Sequence, residues 1–219
     1  MRRFPDDVVA RNSRAETLSA FARFDDALQA YDDTIRRFPD DVVAQTGRAK
    51  VLRALTRFDD ALQAYDDTIR RFPDDIFFAR NSRAETLKAL ARFDDALEAY
   101  DDTIRRFPGD IVARTGRAHV LVMLGRYQDA IDSLPATEPR QLHDWVALHI
   151  RGMAHLRRGA VDDAIDTFRQ GAKAPFPAVQ AYFRNALAVA QIRRRTLRSA
   201  RRREDTRKDP LDSEARRGH

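Results

Sequence analysis

The feature that most limits what this chain can fold into is a repeat. Residues 4–37, FPDDVVARNSRAETLSAFARFDDALQAYDDTIRR, return at once as residues 38–71, FPDDVVAQTGRAKVLRALTRFDDALQAYDDTIRR, a period of 34 residues. Of the 34 positions 26 are the same, and the eight that differ all lie between Arg11 and Ala22. A third copy occupies 72–106, one residue longer, and a fourth starts at Phe107. Self-similarity at a fixed period of this size implies stacked supersecondary units, each burying its apolar face on its neighbours.

Within one unit the pattern reads as two helices. Pro5 suits a first helical turn, where its missing N–H is not needed, and Asp6 and Asp7 favour the positive end of the helix dipole. Val8, Ala15, Leu18 and Phe21 then recur at helical spacing. The second half restarts with Asp25 as the expected N-cap. Ala27, Leu28, Tyr31 and Ile35 form its apolar face. Asp32 and Asp33 stand four residues before Arg36 and Arg37, the better orientation for helical ion pairs. Phe38 precedes Pro39 and is pushed out of the helical region, which ends the helix.

These residues resemble the tetratricopeptide repeat (TPR) pattern of 34 residues. With Val8 as its first position, the small residues fall on Ala15 and Ala27, the aromatic on Tyr31 and the proline on Pro39. The second copy supplies Ala49, Ala61, Tyr65 and Pro73, and the third Ala84, Ala96, Tyr100 and Pro108. The fourth and seventh positions depart from the family. They are Arg11 and Arg14 in the first copy and Arg80 and Arg83 in the third, read as arginines whose stems pack while their heads reach solvent or a helix-B aspartate. The resemblance implies an all-α fold, an α-solenoid of helix-turn-helix repeats forming a right-handed superhelix.

The expected organisation is five TPR-like repeats over 4–177. Three occupy 4–37, 38–71 and 72–106. A fourth spans 107–144, its second helix cut short by Pro135, and a fifth spans 145–177. The segment 134–144 reads as an irregular connection. A C-terminal capping helix follows over 178–203, with Tyr182, Phe183, Ala186, Leu187, Val189 and Ile192 as its apolar positions, and then a disordered tail over 204–219. No capping helix is evident before Val8. The uncovered face of repeat one is therefore expected either to self-associate or to fray.

Composition narrows the function. Cysteine is absent, which excludes disulfides, thiolate catalysis and cysteine-ligated metals. No apolar run reaches the ~18 residues of a membrane span, and the N-terminus has no secretory core, so a cytoplasmic setting is expected. The net charge of +6 is unevenly placed. Residues 193–219 hold eleven Arg/Lys and five Asp/Glu, which leaves 29 of each sign elsewhere. The recurring Asp-Asp pairs fit helix starts and salt bridges better than a catalytic cleft. No phosphate loop, HExxH or GxSxG occurs. Neither an enzyme, a metal site nor a cofactor is expected. His119 and His149 fall at groove positions, where a solvated pair outweighs a metal site.

In TPR proteins the second, fifth, ninth, twelfth and thirteenth positions line the concave groove. The resemblance places Asn12 and Glu16 there in repeat one, Lys50 and Arg53 in repeat two, and Phe78, Asn81, Glu85 and Lys88 in repeat three. Repeat four supplies Val112, His119, Val122 and Met123, and repeat five His149, Met153 and Leu156. The expected function is a non-catalytic protein-protein interaction scaffold, holding a peptide or amphipathic helix of another protein. Met123, Val122, Met153 and Leu156 would form its apolar floor. The competing reading is that the terminal helix covers that floor. The second function class is nucleic-acid binding through Arg193, Arg194, Arg195, Arg198, Arg201, Arg202 and Arg203, seven arginines without an acid among them. The bland reading of that run is a solvated helix end.

Overall fold

A computed structural model describes residues 7–73, 76–134 and 142–208. Eleven α-helices and no strand occur among them. They group into two compact units, 1–120 and 121–219, divided after Val120. In the first unit lie α1 (Val8–Ala20), α2 (Phe24–Arg37), α3 (Val42–Ala54), α4 (Phe58–Arg71), α5 (Phe77–Ala89) and α6 (Phe93–Arg106). Helix α7 (Ile111–Met123) carries the boundary. The second unit holds α8 (Tyr127–Ser133), α9 (Leu142–Arg158), α10 (Val161–Gly171) and α11 (Pro177–Lys208).

The start of the first helix differs from expectation. Asp7 is the N-cap of α1, and its carboxylate accepts the Val9 and Ala10 N–H groups; Pro5 lies outside the described residues. Asp41 does the same for α3, accepting from Ala44 N at 2.6 Å. The second helices also begin earlier than expected. Arg23, not Asp25, occupies the N-cap position, and its Nε donates to Asp26 at 2.7 Å. Asp25 and Asp26 sit inside the first turn, where the helix dipole favours them.

Helices within a unit of repeat pack where side chains are smallest. Ala15, Ala27, Ala49, Ala61, Ala84 and Ala96 are all fully buried. The hairpin turn between them is a Schellman motif: the N–H of Ala22 bonds Ser19 and that of Arg23 bonds Leu18. This motif requires a left-handed residue, and Ala22, Thr56 and Ala91 adopt φ of 56°, 59° and 57°. At the equivalent place in the second unit stands Gly125, with φ of 76°. Phe21, expected in the core, is 76% exposed beside this turn.

Stacking between repeats follows a two-repeat rhythm within the 34-residue one. Residues 10–18 and 79–87 share ARNSRAETL, whereas Thr46-Gly47-Arg48-Ala49 matches Thr115-Gly116-Arg117-Ala118. Tyr31 and Tyr100 each press against the glycine of the following repeat, where an added Cβ at Gly47 or Gly116 would fall 2.4 Å from the ring. The seventh-position arginines form a ladder onto the second helix of the preceding repeat. Arg48 meets Asp32, Arg83 meets Asp66 and Arg117 meets Asp101, each at 2.6 Å. In the second unit Arg151 holds the same position and donates instead to the Leu134 carbonyl at 2.9 Å. Arg80, at a fourth position, is buried and pairs with Asp102 of its own repeat at 2.6 Å.

The extra residue of repeat three is absorbed at Ile76. It takes the N-cap place of α5, makes no side-chain cap, and is buried with Ala49, Leu52, Ala61, Tyr65 and Ala79. In the second unit, α9 starts at Leu142, inside the stretch expected to be irregular; 135–141 lie outside the described residues. Helix α11 packs on α10 with Phe183 and Ala190 buried and Ala186 and Leu187 partly so. Tyr182, Val189 and Ile192, expected in that face, are exposed. The helix also continues through residues 204–208, where disorder was expected; 209–219 lie outside the described residues.

Candidate functional site

A cleft of the first unit lies over the first helices of repeats one to three. It measures about 400 Å3 and is lined by Asn12, Glu16, Ser19, Tyr31, Val42, Val43, Thr46, Gly47, Lys50, Val51, Ile76, Phe78 and Ala79. Val43 and Phe78 make its rim apolar, and the second position of each of the first three repeats is exposed. Val9, Val43 and Phe78 are each more than 60% exposed. An exposed row of large apolar side chains is what a partner surface presents.

Outside the cleft's lining, the charged groove positions of repeat three pair with each other. In repeat three the Lys88 ammonium lies 2.6 Å from Glu85, and the Tyr100 hydroxyl donates to the same carboxylate. Burial works to raise the Glu85 carboxyl, but these two hydrogen bonds outweigh it and hold the group below its ordinary range. Tyr100 is driven up by burial and then by Glu85, and so stays a donor. In repeat one, burial and then Glu16 likewise raise Tyr31. Glu16 and Lys50 are exposed and make no ion pair among the described residues. Arg53 is half-buried and acts on Tyr65 and Glu85.

Several residues assigned to the groove from sequence also take part in packing between helices. Asn12 and Asn81 are buried, and each donates its amide to the aspartate that caps the next repeat, Asp41 at 2.8 Å and Asp110 at 2.6 Å. They join neighbouring repeats, and Asn12 also lines the cleft. Val122 and Leu156 are also buried, so they form no open floor. Leu156 belongs to the core cluster with Phe168, Phe183 and Ala190, and Met153 packs against that cluster. His149 is held by α11, its Nε2 being 3.0 Å from the Tyr182 hydroxyl and its ring 5.9 Å from that of Phe183. Helix α11 therefore covers repeat five. Met123 and His119 are exposed and Val112 is half-buried. Sequence reading missed Val42, Tyr31 and Ile76 as cleft walls, because their places depend on how successive repeats stack.

No group of three His, Asp or Glu side chains that could hold a metal occurs among the described residues. No helix among them is long and apolar enough to cross a membrane. At the far end of α11, Arg193, Arg195, Arg198, Arg201, Arg202 and Arg203 are exposed, while Arg194 is half-buried and pairs with Asp162 at 3.0 Å.

Comparison with known families matches residues 12–76 and 82–138 to the tetratricopeptide repeat. The chain belongs to the tetratricopeptide repeat family. The two matched stretches each take in two repeats, the same rhythm as the stacking. TPR proteins of solved structure share the fold at low identity. The thermophilic TPR protein TTC0263 of Thermus thermophilus is 19% identical with a TM-score of 0.64, covering 83% of this chain and 100% of its own. Yeast Tom70 is 19% identical with a TM-score of 0.73 over 97% of this chain, which spans 44% of Tom70. YrrB, described as a TPR protein with an unusual peptide-binding site, is 15% identical with a TM-score of 0.56, over 83% of this chain and 94% of its own. At these identities the likeness shows the fold alone. No curated protein matches the sequence.

Proposed function

We propose that this TPR protein is a non-catalytic scaffold that holds a peptide or amphipathic helix of another protein in the cleft of repeats one to three. The observation that carries this is the coincidence of the 400 Å3 cleft with exposed Val43 and Phe78 and with Glu16 and Lys50, whose charges are not cancelled. The apolar pair supplies affinity, at about 1.5–3 kcal/mol for each side chain fully buried by a ligand. The exposed charges set register and on-rate more than affinity. The peptide-binding site of YrrB supports the reading by analogy only. The binding centre is thus moved from repeats four and five, where α11 covers Met153 and Leu156, to repeats one to three.

The test is recovery of a partner from the native host with wild-type protein, with V43D/F78D and with M123D. Loss of the same partner in the first variant and its retention in the second is the expected result. The reverse pattern, in variants with unchanged circular dichroism, sinks the assignment to this cleft.

A further inference from the structure

The same nine residues, ARNSRAETL, occur at 10–18 in α1 and at 79–87 in α5, in two different surroundings. Helix α5 packs on α6 of its own repeat and on α3 and α4 of the preceding one. Among the described residues α1 packs on α2 and α3 alone. Thr86 and Leu87 are fully buried, whereas Thr17 is exposed and Leu18 half-buried. Arg83 reaches Asp66 of α4 at 2.6 Å, whereas Arg14 is exposed and makes no ion pair among the described residues. Phe21, one turn beyond Thr17, is exposed where its counterpart Leu90 is half-buried. At about 100° per residue, Arg14, Thr17 and Phe21 lie roughly opposite Asn12, Glu16 and Ser19, the residues of α1 that line the cleft.

What covers this side elsewhere in the first unit has one chemistry. In α4, Tyr65 is fully buried with its hydroxyl beside Ser82, and the next residue, Asp66, pairs with Arg83. Tyr31-Asp32 meets Gly47-Arg48 in the same register, and Tyr100-Asp101 meets Gly116-Arg117. Ser13-Arg14 holds the corresponding place in repeat one. We infer that this side of α1 docks an amphipathic helix of another protein, one that sets a Tyr-Asp pair against Ser13-Arg14 and an apolar side against Leu18 and Phe21. The aspartate neutralises Arg14, and the ring and apolar side chains bury the surface that α3 and α4 bury on α5. A second copy of this chain has no such pair to offer. The sequence holds three Tyr-Asp pairs, at Tyr31, Tyr65 and Tyr100, and the following repeat engages each of them. This surface is separate from the cleft of repeats one to three and does not rest on it.

Fluorescence anisotropy of a labelled peptide with the sequence of α4, Phe58–Arg71, tests this with the full chain. The peptide is stapled between Gln63 and Asp67, which are exposed one turn apart on α4, because an isolated helix of this length is marginal in water. The wild type should bind it. R14E should bind it at least ~10-fold more weakly, since like charges then meet. A peptide with Asp66→Arg should reverse that order and bind R14E better than the wild type. V43D/F78D should bind as the wild type does, which separates this site from the cleft. Arg14 is exposed and makes no ion pair among the described residues, so R14E keeps the wild-type circular dichroism. Absence of binding, equal binding by R14E, no reversal with the Asp66→Arg peptide, or loss in V43D/F78D overturns the inference. A dimer in sedimentation that R14E dissociates overturns it as well, because the occupant would then be a second copy.

Discussion

Gly47 leaves no room for a side chain. An added Cβ would sit 2.4 Å from the ζ carbon of Tyr31, whose ring is buried in the core. Gly47→Ala is therefore expected to cost about 1–3 kcal/mol by overpacking, measured as a lower urea midpoint. Tyr31→Leu in the same chain should recover part of that loss; if it deepens the loss instead, the clash is not the cause. Glu85 gives a pH dependence at the same scale. Its folded carboxyl is held below the ordinary value of 4.5 despite burial, by Lys88 and Tyr100. A depressed folded value means that its contribution is complete above the unfolded range and is lost as pH falls through the folded one. Stability should thus decline below about pH 4.5, and Glu85→Gln should flatten that limb in acid denaturation. An unchanged limb in the variant would assign the decline to other carboxylates.

Among the elements, the hairpin turns are the ones under strain. Thr56 is β-branched and holds a φ of 59°, where the left-handed conformation costs roughly 1–2 kcal/mol for a residue with a Cβ. Thr56→Gly is expected to stabilise the chain by about 0.5–1 kcal/mol, the gain being reduced by the entropy of glycine in the unfolded state. Thermal unfolding of the variant reads the sign directly, and a lower midpoint would refute the strain. The start of α5 illustrates the opposite balance. Ile76 gives up a cap that Asp41 provides in α3, and buries its side chain in return. The insertion was legible in the sequence as one extra residue near Ile76-Phe77-Phe78; that it becomes a core residue was not, because nothing local distinguishes a loop isoleucine from one facing a neighbouring repeat.

Over the first unit as a whole, stability should behave as a sum of nearest-neighbour terms. The ladder of Arg48–Asp32, Arg83–Asp66 and Arg117–Asp101 puts one partly exposed ion pair at each of three repeat junctions. Each arginine changed to alanine is expected to cost under ~1 kcal/mol, and the triple variant close to the sum. Urea denaturation of the four proteins checks this, and a triple cost far above the sum would mean that the junctions cooperate. The ladder was half visible beforehand: arginines reaching toward helix-B aspartates were expected, but not that the seventh-position ones cross to the preceding repeat.

The sequence by itself determined the repeat length, the helix pairs, the alanines at their crossing and the tetratricopeptide family. All of these rest on local spacing, repeated often enough to average out ambiguity. It also located the arginine run of α11, since charge along one helix needs no tertiary information. Which of the groove positions are buried was decided only by the tertiary structure. Asn12 and Asn81 sit at groove positions and are buried there, each bonded to the aspartate at the start of the next repeat. Leu156 and Met153 have the composition of an apolar floor, yet Leu156 is buried in one core cluster with Phe183 and Ala190 of α11, and Met153 packs against that cluster. Position within a repeat fixes which side of its own helix a residue occupies; whether that side remains open depends on the helix that packs next to it, and that helix can lie far along the chain.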